Sequence, residues 1–306
     1  MKKFIVHILI CASILFIVDK LAYFILKETP KHLYDTRLKK VLDGEMNKEL
    51  IILGSSKGAG NIIASQIEKE TGYESYNLSY MGSDVIFHEF ILRKLLQHNK
   101  TPKIILLSID NPAQFIDVKK SKNTLSYRYD KLYPLTIYNE INTELIKQGD
   151  KTLLSEYFLL ARLSKARFNY NREKPNSNNP LLLDGSMPYI KQKDISDFNF
   201  INKENEYHIG LDSQKKIETF EEIEQICERR NIKLYYIFSP TLFKFNNTFY
   251  HRFLKLVKNP DNVFVYNNSN DIYKRVSSYS DHSHLMIHSA KAFTTEISTF
   301  LKRYSP

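Results

Sequence analysis

Two short stretches hold side chains that can do chemistry together. The first is Gly54-Ser55-Ser56-Lys57-Gly58, placed between the apolar run Leu50-Ile51-Ile52-Leu53 and a segment whose Ile62, Ile63, Ile67 and Thr71 recur at helical spacing. A serine on a strand-to-helix turn presents its hydroxyl, and the free N–H groups at the helix start can stabilise an oxyanion. The spacing Gly-x-Ser-x-Gly is that of a nucleophile elbow. No Gly-Lys-Ser/Thr ends it, which separates it from a phosphate-binding loop. Gly and Ser are equally the residues of ordinary turns and helix caps, so this stretch alone settles nothing. The second stretch is Asp281-His282-Ser283-His284-Leu285, ahead of the last helical pattern. An acid three residues before a histidine lets one loop present both. The carboxylate can hold the imidazole tautomer while the imidazole takes a serine proton. His282 and His288 lie nearby in sequence and admit a metal-dependent hydrolase using His282, His284 and Asp281 as a third reading. Their spacings match no zinc pattern, and no metal or cofactor is expected.

The elements that must position these residues alternate. Apolar runs at 49–53, 75–78 and 103–109 read as buried strands, with helical patterns at 58–70 and 84–98 between them. Gly72 is placed to stop the first helix and Asp84 to cap the second. From about 117 to 208 the alternation stops: 136–168 has helical spacing, and 172–206 is an irregular excursion containing Pro175, Pro180 and Pro188. We expect an insertion or lid there, or an embellishment with no chemistry. The pattern resumes with a helix at 212–230, a strand at 233–238, a helix near 250–257, a strand at 263–266 and a closing helix at about 289–302. Such alternation implies a parallel sheet covered on both faces.

The N-terminus is a separate element. Lys2 and Lys3 precede an apolar run from residue 4 to 18, interrupted by Asp19 and Lys20 and continued to Leu26. A helix of about 20 such residues crosses the hydrocarbon core, and Lys20 lies far enough along to snorkel. No Ala-x-Ala pattern follows, and Ile10 before Cys11 argues against a lipoprotein site. Residues 1–27 are therefore expected as an uncleaved membrane anchor, 28–48 as a juxtamembrane connector, and 49–306 as one α/β domain with the insertion at about 117–208. Lys27, Lys31, Arg37, Lys39 and Lys40 place positive charge downstream too, which weakens the charge argument for orientation. The formal net charge is +10. A Lys-rich solvated surface accounts for it, with an anionic lipid or envelope polymer as the sharper reading. No basic run is interleaved with aromatics, so nucleic acid is not an expected partner. The two cysteines, Cys11 and Cys227, form neither a disulfide framework nor a zinc pattern. Abundant Asn, Lys, Ile, Tyr and Phe with no Trp suggest an AT-rich bacterial source.

Taken together, Gly54-Ser55-Ser56, Tyr76-Asn77-Leu78 with Gly82, and the segment from Asp281 through His284, Leu285 and Ala290 resemble the SGNH (GDSL-like) hydrolase superfamily over roughly 49–115 and 230–303. The resemblance implies a flavodoxin-like three-layer α/β/α fold with a parallel sheet, Ser56 as nucleophile, His284 as general base and Asp281 as its orienter. It implies an oxyanion hole from the N–H groups of Ser56 and Gly82. Ser108-Ile109-Asp110-Asn111 stands where the family has Gly-x-Asn-Asp; Asp110 takes the Asn position and Asn111, one residue on, is the candidate third donor. Ser55 stands where Gly-Asp-Ser has Asp. Gly-Ser-Ser is similar to a single-helix, membrane-anchored branch acting in O-acylation of envelope polysaccharides and D-alanylation of teichoic acids. The implied activity is that of an esterase or O-acyltransferase on a cell-envelope glycan, served by a membrane acyl-donor protein, at the bacterial cytoplasmic membrane with the catalytic domain outside. The alternative is a catalytically inert binding or assembly component of such a pathway.

Overall fold

A computed structural model describes residues 2–109, 112–116, 131–163, 176–193, 198–204 and 207–304. In chain order the elements are α1 (Lys2–Glu28), α2 (Arg37–Leu42), β1 (Leu50–Leu53), α3 (Ser56–Asn61), α4 (Ala64–Thr71), β2 (Ser75–Asn77), α5 (Val85–His98) and β3 (Ile104–Ile109). There follow α6 (Asn139–Lys147), α7 (Leu154–Tyr157), α8 (Leu159–Leu163), α9 (Gln214–Arg229), β4 (Lys233–Phe238), α10 (Asn247–Leu254), β5 (Val263–Val265), β6 (Tyr279–Asp281), β7 (His284–Leu285) and α11 (Ile287–Tyr304). The chain divides into two units, 1–39 with 122–174 and 40–121 with 175–306.

The second unit is mixed α/β. Its sheet has five strands in the order β2-β1-β3-β4-β5, all neighbours parallel. Side chains alternate across a strand, so each strand feeds two apolar layers. Leu50, Ile52, Ile104, Leu106, Tyr235 and Ile237 pack with Ile63, Ile67, Phe293, Ile297 and Leu301 of α4, α11 and the link before α4. On the other face Tyr236 meets Phe220 of α9 and Phe253 of α10 at ring-centroid distances of 5.6 and 5.3 Å. Helix α9 packs beside α5. Strand order reverses between β1 and β3, and in open parallel sheets the crevice outside the strand ends at such a reversal is where ligands bind. Ser56 leaves β1 at that crevice.

Two sequence expectations change in detail. The pattern at 58–70 is not one helix: α3 ends at Asn61 and α4 begins at Ala64, with Ile62 and Ile63 extended. Tertiary partners replace the helical hydrogen bonds. Asn77 Nδ2 donates to Ile62 O at 2.9 Å, Ile63 N to Thr294 Oγ1 at 3.1 Å, and Ala64 N to Ser186 Oγ at 3.0 Å. Asp84 precedes α5 as expected but caps it with no side-chain hydrogen bond; its carboxylate pairs with Lys216 at 3.3 Å instead. Gly72 ends α4 in the left-handed conformation, its N–H donating to Glu68 O. The stretch 117–208 is shared between the units, 122–174 belonging to the first and 117–121 with 175–208 to the second. Within 136–168 the described helices are α6, α7 and α8, and 164–168 lie outside the described residues.

The first unit contains α1, long and apolar enough to cross a membrane. Its one buried stripe is Asp19, Ala22 and Leu26, spaced to lie on one helix face, and α8 packs against α1.

Candidate active site

Ser56 is the first residue of α3, on the tight turn out of β1, and is half-buried. Both glycines of its motif are there for close approach. A Cβ on Gly54 would lie 2.7 Å from Ser108 Cβ of β3, and one on Gly58 would lie 2.5 Å from Ser79 Oγ. Asn77, fully buried at the end of β2, ties the turn down: its Nδ2 donates to Gly58 O at 2.8 Å as well as to Ile62 O.

The Asp-x-x-His spacing becomes a hairpin. β6 and β7 are antiparallel with Asp281 opposite His284, joined by His282 and Ser283 alone. Cross-strand partners stand close enough to touch, and Asp281 Oδ1 fixes the turn by accepting from Ser283 N at 2.9 Å and His284 N at 3.1 Å. The same oxygen meets His284 Nδ1 at 2.6 Å, and His284 Nε2 meets Ser56 Oγ at 2.7 Å. The three sequence-predicted residues therefore form one connected relay across 228 residues of chain separation. An ionised Asp281 can only accept, so Nδ1 carries the proton and Nε2 is left as acceptor for the Ser56 hydroxyl.

Burial alone would raise the Asp281 pKa. The hydrogen bond and charge of His284, then the hydrogen bond of Lys193, outweigh it and hold the carboxyl well below the usual carboxylate range. Asp281 is therefore a fixed anion.

Four residues were not singled out from sequence for the roles they take here. Lys193 Nζ donates to Asp281 Oδ2. Its backbone is zipped to β6, Lys193 N donating to Ser280 O at 2.8 Å and Ser280 Oγ to Lys191 O at 2.9 Å. Tyr189 stacks on the His284 ring at 4.8 Å and an interplanar angle of 31°. Tyr189 O accepts from Ile287 N at 2.8 Å, so the segment 187–193 lies along the histidine hairpin. Asn61, fully buried, accepts from Leu285 N at 2.9 Å and donates to Ser239 Oγ at 3.2 Å, linking the serine helix to β7 and the end of β4. Asn77 enters the sequence reading only through the family resemblance. Two buried amides inside otherwise apolar or glycine-rich runs were the available signal, because such groups need partners.

The remaining expected residues fare differently. Gly82 is exposed, with φ +71°, on a turn hung from the β1 end: Tyr80 N donates to Gly54 O at 2.9 Å, and Ser83 Oγ lies 3.1 Å from the same oxygen. Asn111, with Asp110, lies outside the described residues. His282 turns away from the relay and packs against Phe198 and Phe243 at 5.6 and 5.9 Å. Among the described residues no three His, Cys, Asp or Glu side chains gather to hold a metal.

A family model described as a protein of unknown function (DUF1574) matches residues 2–305. No curated protein matches the chain.

Proposed function

The chain belongs to the DUF1574 family, and we propose that it is a membrane-anchored serine esterase or O-acyltransferase of SGNH type. The observation that carries this reading is the connected hydrogen-bond relay from Ser56 Oγ through His284 to Asp281. In it the Ser56 oxygen attacks an acyl carbonyl as His284 Nε2 takes the hydroxyl proton. The tetrahedral intermediate collapses when His284 returns that proton to the leaving oxygen, leaving the acyl group as a Ser56 ester. Water or a sugar hydroxyl then attacks the ester carbonyl as it gives its proton to His284, and His284 returns that proton to Ser56 Oγ as the serine leaves. Asp281, kept ionised, stabilises the imidazolium in both halves. The N–H groups of Ser56 and Gly82 are the proposed oxyanion donors, with Asn111 the candidate third.

A five-stranded parallel sheet in the order β2-β1-β3-β4-β5, with helices on both faces, supports the three-layer flavodoxin-like assignment. The N-terminal apolar helix supports placement at a membrane. The proposed substrate is an acylated cell-envelope glycan on the outer side of a bacterial cytoplasmic membrane, with acyl groups received from a membrane donor.

The test is labelling of the full-length protein in detergent by a fluorophosphonate, located by mass, alongside p-nitrophenyl acetate hydrolysis. Labelling of Ser56 and hydrolysis lost in Ser56→Ala and His284→Ala are expected. A folded protein that neither labels nor hydrolyses ester sinks the enzyme reading and favours an inert binding component.

A further inference from the structure

The first unit carries an apolar surface unrelated to the serine relay. Around α7, Leu153, Leu154, Tyr157 and Phe158 are 68%, 59%, 73% and 53% exposed. Exposed Glu156 lies among them, and clustered apolar exposure of this kind marks a protein or membrane contact. Its attachment says which. The N–H of Leu160, at the start of α8, donates to Asp19 Oδ1 of α1 at 2.9 Å. Above and below Asp19, α1 exposes Leu15, Phe16, Leu21 and Phe24.

Depth follows from helix geometry. The uncharged run from Phe4 to Val18 rises only about 22 Å at 1.5 Å per residue. The hydrocarbon core is about 30 Å thick. A bilayer crossed by α1 from Phe4 onward therefore reaches past Asp19, toward Tyr23. A carboxylate there needs partners, and Asp19 finds them in Lys20 Nζ at 3.2 Å and the Leu160 N–H. The segment bonded to it is held where acyl chains meet headgroups. Several of its backbone groups find partners within the unit, which that depth favours: Ser155 O accepts from Asn142 Nδ2 at 3.0 Å and Arg162 Nε at 2.9 Å, Glu156 N donates to Leu153 O at 3.0 Å and Phe158 N to Leu154 O at 2.9 Å. Leu and aromatic side chains are suited to that boundary.

We propose that residues 153–160 form a second, shallow membrane contact. Leu153, Leu154, Tyr157 and Phe158 insert among the upper acyl chains beside α1. The contact sets the depth, rotation and tilt of the helix, which interfacial anchors control. It rests on the reading of α1 as a membrane span.

The chain has no tryptophan, so a single introduced one is a clean reporter. Full-length Phe16→Trp, Tyr157→Trp and Phe158→Trp are each placed in phosphatidylcholine vesicles, plain or brominated high on the acyl chains. Loss of fluorescence in brominated vesicles is expected for all three. Quenching of Phe16→Trp with undiminished emission from Tyr157→Trp and Phe158→Trp overturns the inference and leaves the span intact. No quenching of any of them removes the span itself, and the second contact with it.

Discussion

Two serine–histidine pairs sit at the same end of β1, and only one is arranged for chemistry. Ser56 Oγ is 2.7 Å from His284 Nε2 and Ser83 Oγ is 2.9 Å from His88 Nε2. The difference is where the protons are committed. Ser83 Oγ also faces two backbone carbonyls, Tyr80 O at 2.6 Å and Gly54 O at 3.1 Å. Carbonyls only accept, so the single Ser83 proton goes to one of them and His88 Nε2 must donate. Ser83 and His88 are both buried, and the pair works as a clamp on the Gly82 turn. At the first pair Asp281 takes the Nδ1 proton, Nε2 accepts, and half-buried Ser56 can give its proton up. Proximity of serine and histidine does not make a nucleophile; the third group that orders the protons does.

That contrast can be broken by mutation. Ser56→Ala and His284→Ala should lower ester hydrolysis by about 10⁴-fold or more, measured as kcat on p-nitrophenyl acetate. If Ser83→Ala lowers it as far, the distinction between the pairs fails. Asp281→Asn keeps the shape but offers His284 a donor where it needs an acceptor, and kcat should fall by up to about 10⁴-fold. The same variant tests the carboxylate's contribution to stability. Because the Asp281 pKa is depressed in the folded protein, its contribution is complete above the unfolded value of about 3.9 and is lost as pH falls below it. Between about pH 7 and about pH 3, wild type should therefore lose more stability to urea than Asp281→Asn does. An equal loss would mean the carboxylate is not held by the relay.

Ser83→Ala removes the acceptor of His88 Nε2 in a buried site and should destabilise by about 1–3 kcal/mol, while hydrolysis falls far less than with Ser56→Ala. Lys193→Met should have the smallest effect, about 2- to 5-fold in kcat, since Lys193 is half-exposed and exposed ion pairs are weak. A loss as large as that of Asp281→Asn would make Lys193 part of the relay rather than its outer support.

Local pattern carried much of this protein. The apolar runs ending at Leu53, Ile109 and Phe238 are strands, because a strand buried on both faces is mostly apolar along its whole length. Asp281 and His284 were legible because a two-residue turn fixes their contact from spacing alone. Tyr189 and Lys193 were not, since they lie in an irregular excursion with no period to read. Ile62 and Ile63 carry a helical pattern yet are extended, because Asn77, Thr294 and Ser186 supply hydrogen bonds that no local window contains.

Three features are set by residue order alone: a serine on a glycine-flanked turn, an acid three residues before a histidine, and an apolar N-terminal helix. Tertiary structure alone decided that His284 Nε2 faces Ser56 rather than Ser83, that His282 turns to Phe198 and Phe243, and that 122–174 and 175–208 fall into different units. Range separates the two. Turn geometry and strand burial act over a few residues, whereas a proton's destination and a segment's allegiance depend on groups brought together from hundreds of residues apart.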